Sequence, residues 1–163
     1  MQRIYKIIIV CLAIIAIIIF GLYSGIIDSG SYSDAEQYQF EVTDSVLIIA
    51  IKNFKDANPD FRVPKSVNLT DSTENYKYHF YLYDSREDNL IHCFILSADG
   101  SNKASIYLDA INSGLRLGNW KVVNEDYDRT ANLEVKKEFR EKVLDKLKLS
   151  YEDKGNNAFI FWK

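Results

Sequence analysis

The stretch that decides the fold runs from Tyr76 to Asn124: YKYHFYLYDSREDNLIHCFILSADGSNKASIYLDAINSGLRLGNWKVVN. Within it, Tyr76–Tyr83, Leu90–Ser97, Lys103–Ile111 and Trp120–Asn124 are rich in β-branched and aromatic residues. Apolar and polar positions alternate there, the period of a half-buried strand. Asp99-Gly100 is a strong hairpin corner, because both residues tolerate positive φ. With that pair at the corner, Ala98 meets Ser101, Ile95 meets Ala104, Cys93 meets Ile106 and Ile91 meets Leu108. Closing the first hairpin with Tyr83 opposite Leu90 sets Leu82 against Ile91 and Phe80 against Cys93. Apolar residues then share one face throughout, and a one-residue slip would turn them all to the other side. These four segments are predicted to form an antiparallel meander.

The same register composes the opposite face. Tyr81 is expected to face His92, His92 to face Tyr107, and His79 to face Phe94, with Lys77 and Tyr83 alongside. Asp109 falls diagonal to His92; opposed neighbours lie about 5 Å apart and diagonal ones about 7 Å. Tyr81, His92, Tyr107, His79, Asp109 and Tyr83 are therefore the candidate partner-binding face. Tyrosine joins an apolar ring to a polar tip, which suits an interface. The competing reading is structural: the Asp60–Thr73 loop or the C-terminal strand covers this face, and its tyrosines serve strand propensity.

His79 and His92 would supply half of a zinc site, with Asp109 as a third ligand, but zinc wants three or four ligands in fixed geometry and the spacing marks no such set. His92 oriented by Asp109 has the outline of a general base, yet no nucleophile motif, phosphate loop or oxyanion element accompanies it. No metal, cofactor or enzymatic activity is expected.

Working outward, Glu36–Val42 alternates and reads as a short strand or the lead-in to a helix. Thr43 or Asp44 opens a helix to about Ala57, ended by Asn58-Pro59. Val46, Leu47, Ile49, Ala50 and Phe54 form its apolar stripe. Asp60–Thr73 reads as a long loop anchored by Phe61, Val63 and Val67. Thr130–Leu149 is a second helix with Val135, Phe139, Val143 and Leu147 inward, and Ala158–Trp162 a last strand. Trp120 is assigned to the apolar face. The order β-α-β-β-β-β-α-β predicts an α+β domain with helices packed on one face of an antiparallel sheet. A helix followed by a four-strand meander, over about residues 42–124, resembles cystatin-like and NTF2-like arrangements. The second helix and last strand depart from the cystatin-like pattern.

The N-terminus reads differently. Ile7–Ile27 is apolar except for Ser24. At 1.5 Å per residue it is about 31 Å long, the thickness of a bilayer's hydrocarbon core. Arg3 and Lys6 precede it, while Asp28, Asp34 and Glu36 follow with no Lys or Arg before Lys52. The positive-inside rule then places the N-terminus in the cytoplasm. The expected organisation is a cytoplasmic stub (1–6), a transmembrane signal-anchor (7–27), a Gly/Ser linker (28–35) and an extracytoplasmic domain (36–163). Leu22-Tyr23-Ser24 offers no good cleavage site, and Cys11 lacks the leader of a lipoprotein. Gly21 and Gly25 have the spacing of a helix-dimer contact, and so of a homodimer. Ile-, Lys-, Asn- and Tyr-rich usage suggests an AT-rich bacterial genome, hence a bacterial inner membrane.

All 23 acidic residues lie at or beyond Asp28, and of 20 basic residues only Arg3 and Lys6 precede it, so the outer part is net acidic. Nucleic-acid binding is not expected from that balance. The two cysteines cannot form a scaffold, since Cys11 sits in the apolar run. The expected function is a non-enzymatic, membrane-anchored accessory or interaction protein of a bacterial envelope complex. The alternatives are a periplasmic inhibitor or immunity-type protein, and a small-ligand carrier or enzyme with a pocket between sheet and helix.

Overall fold

The computed structural model describes residues 34–74, 76–97 and 102–156. The anchor and its Gly21/Gly25 pair, most of the linker, the Asp99-Gly100 corner and the expected strand Ala158–Trp162 lie outside the described residues. Among the described residues no helix is long and apolar enough to cross a membrane.

The described residues form an α+β domain with an antiparallel sheet. Its strands are β1 (Glu36–Phe40), β2 (Ser72–Glu74), β3 (Lys77–Asp84), β4 (Asn89–Ser97), β5 (Ala104–Ser113), β6 (Trp120–Val122) and β7 (Tyr151–Asn156). Helix α1 (Asp44–Ala57) follows β1 and helix α2 (Arg129–Lys142) precedes β7. The strand order is β2-β3-β4-β5-β1-β7, and β6 pairs with the distal part of β5.

The meander forms, and its first hairpin has the expected register. Tyr83 pairs with Leu90, Leu82 with Ile91, Tyr81 with His92, Phe80 with Cys93 and His79 with Phe94. The second hairpin differs. Cys93 pairs with Leu108, Ile95 with Ile106 and Ser97 with Ala104, a slide of two residues from the expected pairing. Because side chains alternate with period two, that slide keeps apolar against apolar. A bulge between His92 and Cys93 then adds one residue to β5, so that Ile91 meets Ile111 rather than Leu108 and His92 meets Ala110 rather than Tyr107.

One core lies on one face. Leu47, Ile51 and Phe54 of α1, and Phe139 and Val143 at α2, join Phe80, Leu82, Ile91, Cys93, Ile95, Ile106 and Leu108. Each such large side chain contributes about 1.5–3 kcal/mol through burial. The inward stripe of α1 corrects the expected one. Val46 and Ile49 are 43% and 57% exposed, whereas Leu47 and Ile51 are fully buried. The helix carries two overlapping apolar stripes at helical spacing, Val46/Ile49/Ala50 and Leu47/Ile51/Phe54, and only packing chooses between them.

The helix ends follow from local chemistry. Asn58 donates from both its backbone N–H (2.9 Å) and its side-chain amide (2.8 Å) to the Phe54 carbonyl, and Pro59 cannot continue the ladder. The Asp128 carboxylate caps α2, accepting from the backbone N–H groups of Thr130 (2.9 Å) and Ala131 (3.0 Å). That helix is shorter than expected. After Lys142 the chain tightens into a 3₁₀ turn over Leu144–Leu147, and Lys148 takes a left-handed conformation at φ 57°. The expected 60–73 loop is not structureless. It holds two 3₁₀ turns, Pro59–Phe61 and Lys65–Val67, and runs into β2, which pairs with β3. Phe61 anchors it on Phe54 with ring centroids 5.2 Å apart. The strand after α2 is Tyr151–Asn156, whose sequence YEDKGN lacks apolar alternation. It ends the described strand order, where charged residues discourage pairing with another chain.

Candidate functional site

The polar face of β3, β4 and β5 is organised around His92. The bulge in β5 sets both Asp109 and Ala110 against His92, and a bulge of this kind re-aims a side chain. The result is a bond rather than a diagonal neighbour: Asp109 Oδ2 lies 2.8 Å from His92 Nδ1. On the other side, His92 Nε2 lies 3.1 Å from His79 Nδ1. The two imidazole planes differ by 6° with centroids 5.3 Å apart. That separation, together with the short N···N distance, means the rings meet edge to edge along a hydrogen bond rather than face to face.

Asp109, His92 and His79 thus form a chain of two hydrogen bonds. The carboxylate can only accept when ionised, so Nδ1 of His92 carries a proton. In the neutral state Nε2 of His92 then accepts, and His79 donates from Nδ1. The side chains of His92 and Asp109 are 12% and 11% exposed, so their bond is little screened by water. Burial, and after it the nearby His92, hold the His79 imidazole below its ordinary value of 6.5.

Aromatic rings surround the chain. Tyr81 lies over His92 with centroids 4.9 Å apart at 22°. Trp120 meets His92 at 6.2 Å and Tyr81 at 6.4 Å. This corrects the assignment of Trp120 to the apolar face. The extra residue at the bulge reverses the phase of β5 beyond it, and β6 follows because Trp120 pairs with Asn112. Asn112 is fully buried and holds the connecting loop: its amide donates to the Gly114 and Arg116 carbonyls at 2.8 and 3.1 Å, and its Oδ1 accepts from the Asn119 N–H at 2.8 Å. A buried Asn in an otherwise apolar strand end was the signal that could have marked this loop.

Of the six residues expected on the face, four come together: Tyr81, His79, His92 and Asp109. Tyr107 pairs with Phe94 instead of His92 and stacks on it at 4.7 Å and 6°. Tyr83 donates its hydroxyl to Asp88 at 2.7 Å, in the β3–β4 turn. Sequence reasoning placed Phe94 opposite His79, as observed, but missed Trp120 on this face. It also missed Asp71, which takes Lys55 at 2.7 Å and accepts from the Tyr78 hydroxyl (3.2 Å) and the Tyr81 backbone N–H (3.3 Å).

Three kinds of chemistry can be asked of this arrangement. In the observed pose the two facing nitrogens are 3.1 Å apart. A zinc ion held in line between them would need roughly 4 Å, so metal binding there requires the rings to part. Among the described residues no group of three or more His, Cys, Asp or Glu side chains could hold a metal ion. General-base work would need a bound substrate, and a nucleophile or water, beside His79. Cys93, fully buried on the apolar face, has its thiol pushed well up by burial and is a core residue. Proton uptake coupled to the surrounding aromatic face needs nothing further.

Compared with protein-family models, curated proteins and solved structures, the chain matches none of them.

Proposed function

We propose that this chain is a non-enzymatic interaction protein, held by a single-pass N-terminal anchor at the bacterial inner membrane with its α+β domain outside the cytoplasm. It binds a protein partner through the polar face of the sheet. The observation that carries this reading is the grouping of the half-buried Tyr81 and Trp120 around the Asp109–His92–His79 chain. Aromatic side chains are the commonest energetic anchors of protein contacts, and the hydrogen-bonded chain fixes their platform. Tethering adds to it, since an anchored domain meets membrane-bound partners at a raised effective concentration. The helix-then-meander order, similar to cystatin-like and NTF2-like arrangements, is widened by β1 and β7 and by itself implies no activity.

Because His79 belongs to the platform and burial holds it below its ordinary 6.5, the contact is expected to respond to pH on the acid side of that value. His79 faces His92, Asp109, Glu74 and Lys77. Protonating the chain adds positive charge beneath the aromatic layer. The test is crosslinking and pull-down of the full-length protein at pH 7.5 and 5.5, beside a Tyr81→Ser, Trp120→Ser variant shown to keep its circular dichroism spectrum. A specific partner held by the parent, lost in the folded variant and altered in yield between the two pH values is the expected result. Partners captured equally by both proteins would overturn the sheet face as the interface.

A further inference from the structure

A second surface lies on helix α1, away from the histidines. A groove of about 420 Å³ runs between α1 and the segment that follows α2. Val46, Ile49 and Ala50 form one wall and Leu147 and Leu149 the other. Among the described residues, the charged side chains lining it are Lys146 and Lys148, both exposed, and none is acidic. In a chain with 23 acidic and 20 basic residues, a groove with only positive charge is a local inversion.

We propose that this groove docks an acidic amphipathic segment of a partner protein. The apolar wall of α1 runs through Val46, Ile49, Ala50 and Phe54 to Ala57, with the polar Asn53 beside it. That stripe is about 16 Å long and accepts about three turns of a partner helix. The segment lays its apolar side against Val46, Ile49, Leu147 and Leu149 and points carboxylates at Lys146 and Lys148. A concave recess favours such a segment over a bilayer, which is met by convex apolar residues and basic charge together. Ile49 at 57% and Val46 at 43% are exposed side by side on this wall, which leaves it open to a partner. The docking site is independent of the sheet face, so either can fail alone.

The test places a benzophenone amino acid at position 49 of the full-length protein in its native cells and maps the photo-adducts by mass spectrometry. The expected adducts fall on one segment of another protein that carries apolar residues at helical spacing and net negative charge. Lys146→Glu with Lys148→Glu lowers their yield at least tenfold, and replacing the partner's carboxylates by lysines restores it. Tyr81→Ser with Trp120→Ser leaves them unchanged. Adducts to lipid, to a second copy of this chain or to basic segments would overturn the proposal. So would a yield indifferent to charge reversal, or no adduct at all.

Discussion

The two faces of β3, β4 and β5 are built from alternate residues of the same strands, yet they are held by different physics. On one, Phe80, Leu82, Cys93, Ile95, Ile106 and Leu108 lie within a continuous apolar core beneath the helices. Their attraction is non-directional and scales with buried area. On the other, Asp109, His92 and His79 are joined by two bonds of 2.8 and 3.1 Å, each needing one proton in one place. The apolar face tolerates a two-residue slide of β5. The polar face depends on a single extra residue at Asp109. Cohesion is therefore expected from the first, and specificity and pH response from the second.

The largest test of that division is Phe80→Ala. Phe80 is fully buried against Cys93, and removing such a ring costs about 3–5 kcal/mol. Urea unfolding of the full-length protein in detergent, followed by tryptophan fluorescence, should show a lowered midpoint with little change in slope. A loss below about 1 kcal/mol would mean that the core face is not the source of stability.

Asp109 should cost less and reveal more. Asp109→Ala leaves the His92 Nδ1–H without its acceptor and is expected to destabilise by about 2–3 kcal/mol. Asp109→Asn keeps an acceptor oxygen and loses the charge, for about 1 kcal/mol. Equal losses in the two variants would mean that the charge, and not the hydrogen bond, holds His92.

That contrast also explains what could be read in the sequence. The β3–β4 register followed from alternation and a short turn, because Asp84 pairs with Asn89 and four residues close the loop. The Asp84 carboxylate accepts from the Arg86 N–H at 3.1 Å, and Asp88 takes φ 53°, so local residues build that turn. The β4–β5 face assignment was legible up to Leu108, since a slide of two conserves it. Beyond that point one inserted residue moved Trp120 to the other face, and no alternation pattern announces a bulge. Helix α1 was legible in extent but not in orientation, because Val46/Ile49 and Leu47/Ile51 are equally good stripes. Strand β7 was illegible, because a charged edge strand carries no hydrophobic signal.

The smallest expected effect is the pH dependence assigned to His79. Its folded-state value lies below the ordinary 6.5, first through burial and then through His92. A histidine depressed in this way takes up its proton more readily when unfolded. Its contribution is therefore intact above about pH 6.5, declines as pH falls from there toward the depressed folded value, and is constant below it. Carboxylates across the domain lose stability in acid as well, so the parent's slope alone does not isolate the histidine. His79→Gln does, since the amide can still meet His92 Nε2 but cannot titrate. The expected outcome is a variant whose unfolding midpoint falls less than the parent's between pH 7 and pH 5.5, with the two curves parallel at higher pH. Parallel curves over the whole range would mean that His79 takes up no more protons unfolded than folded, and would remove it as the source of the pH response.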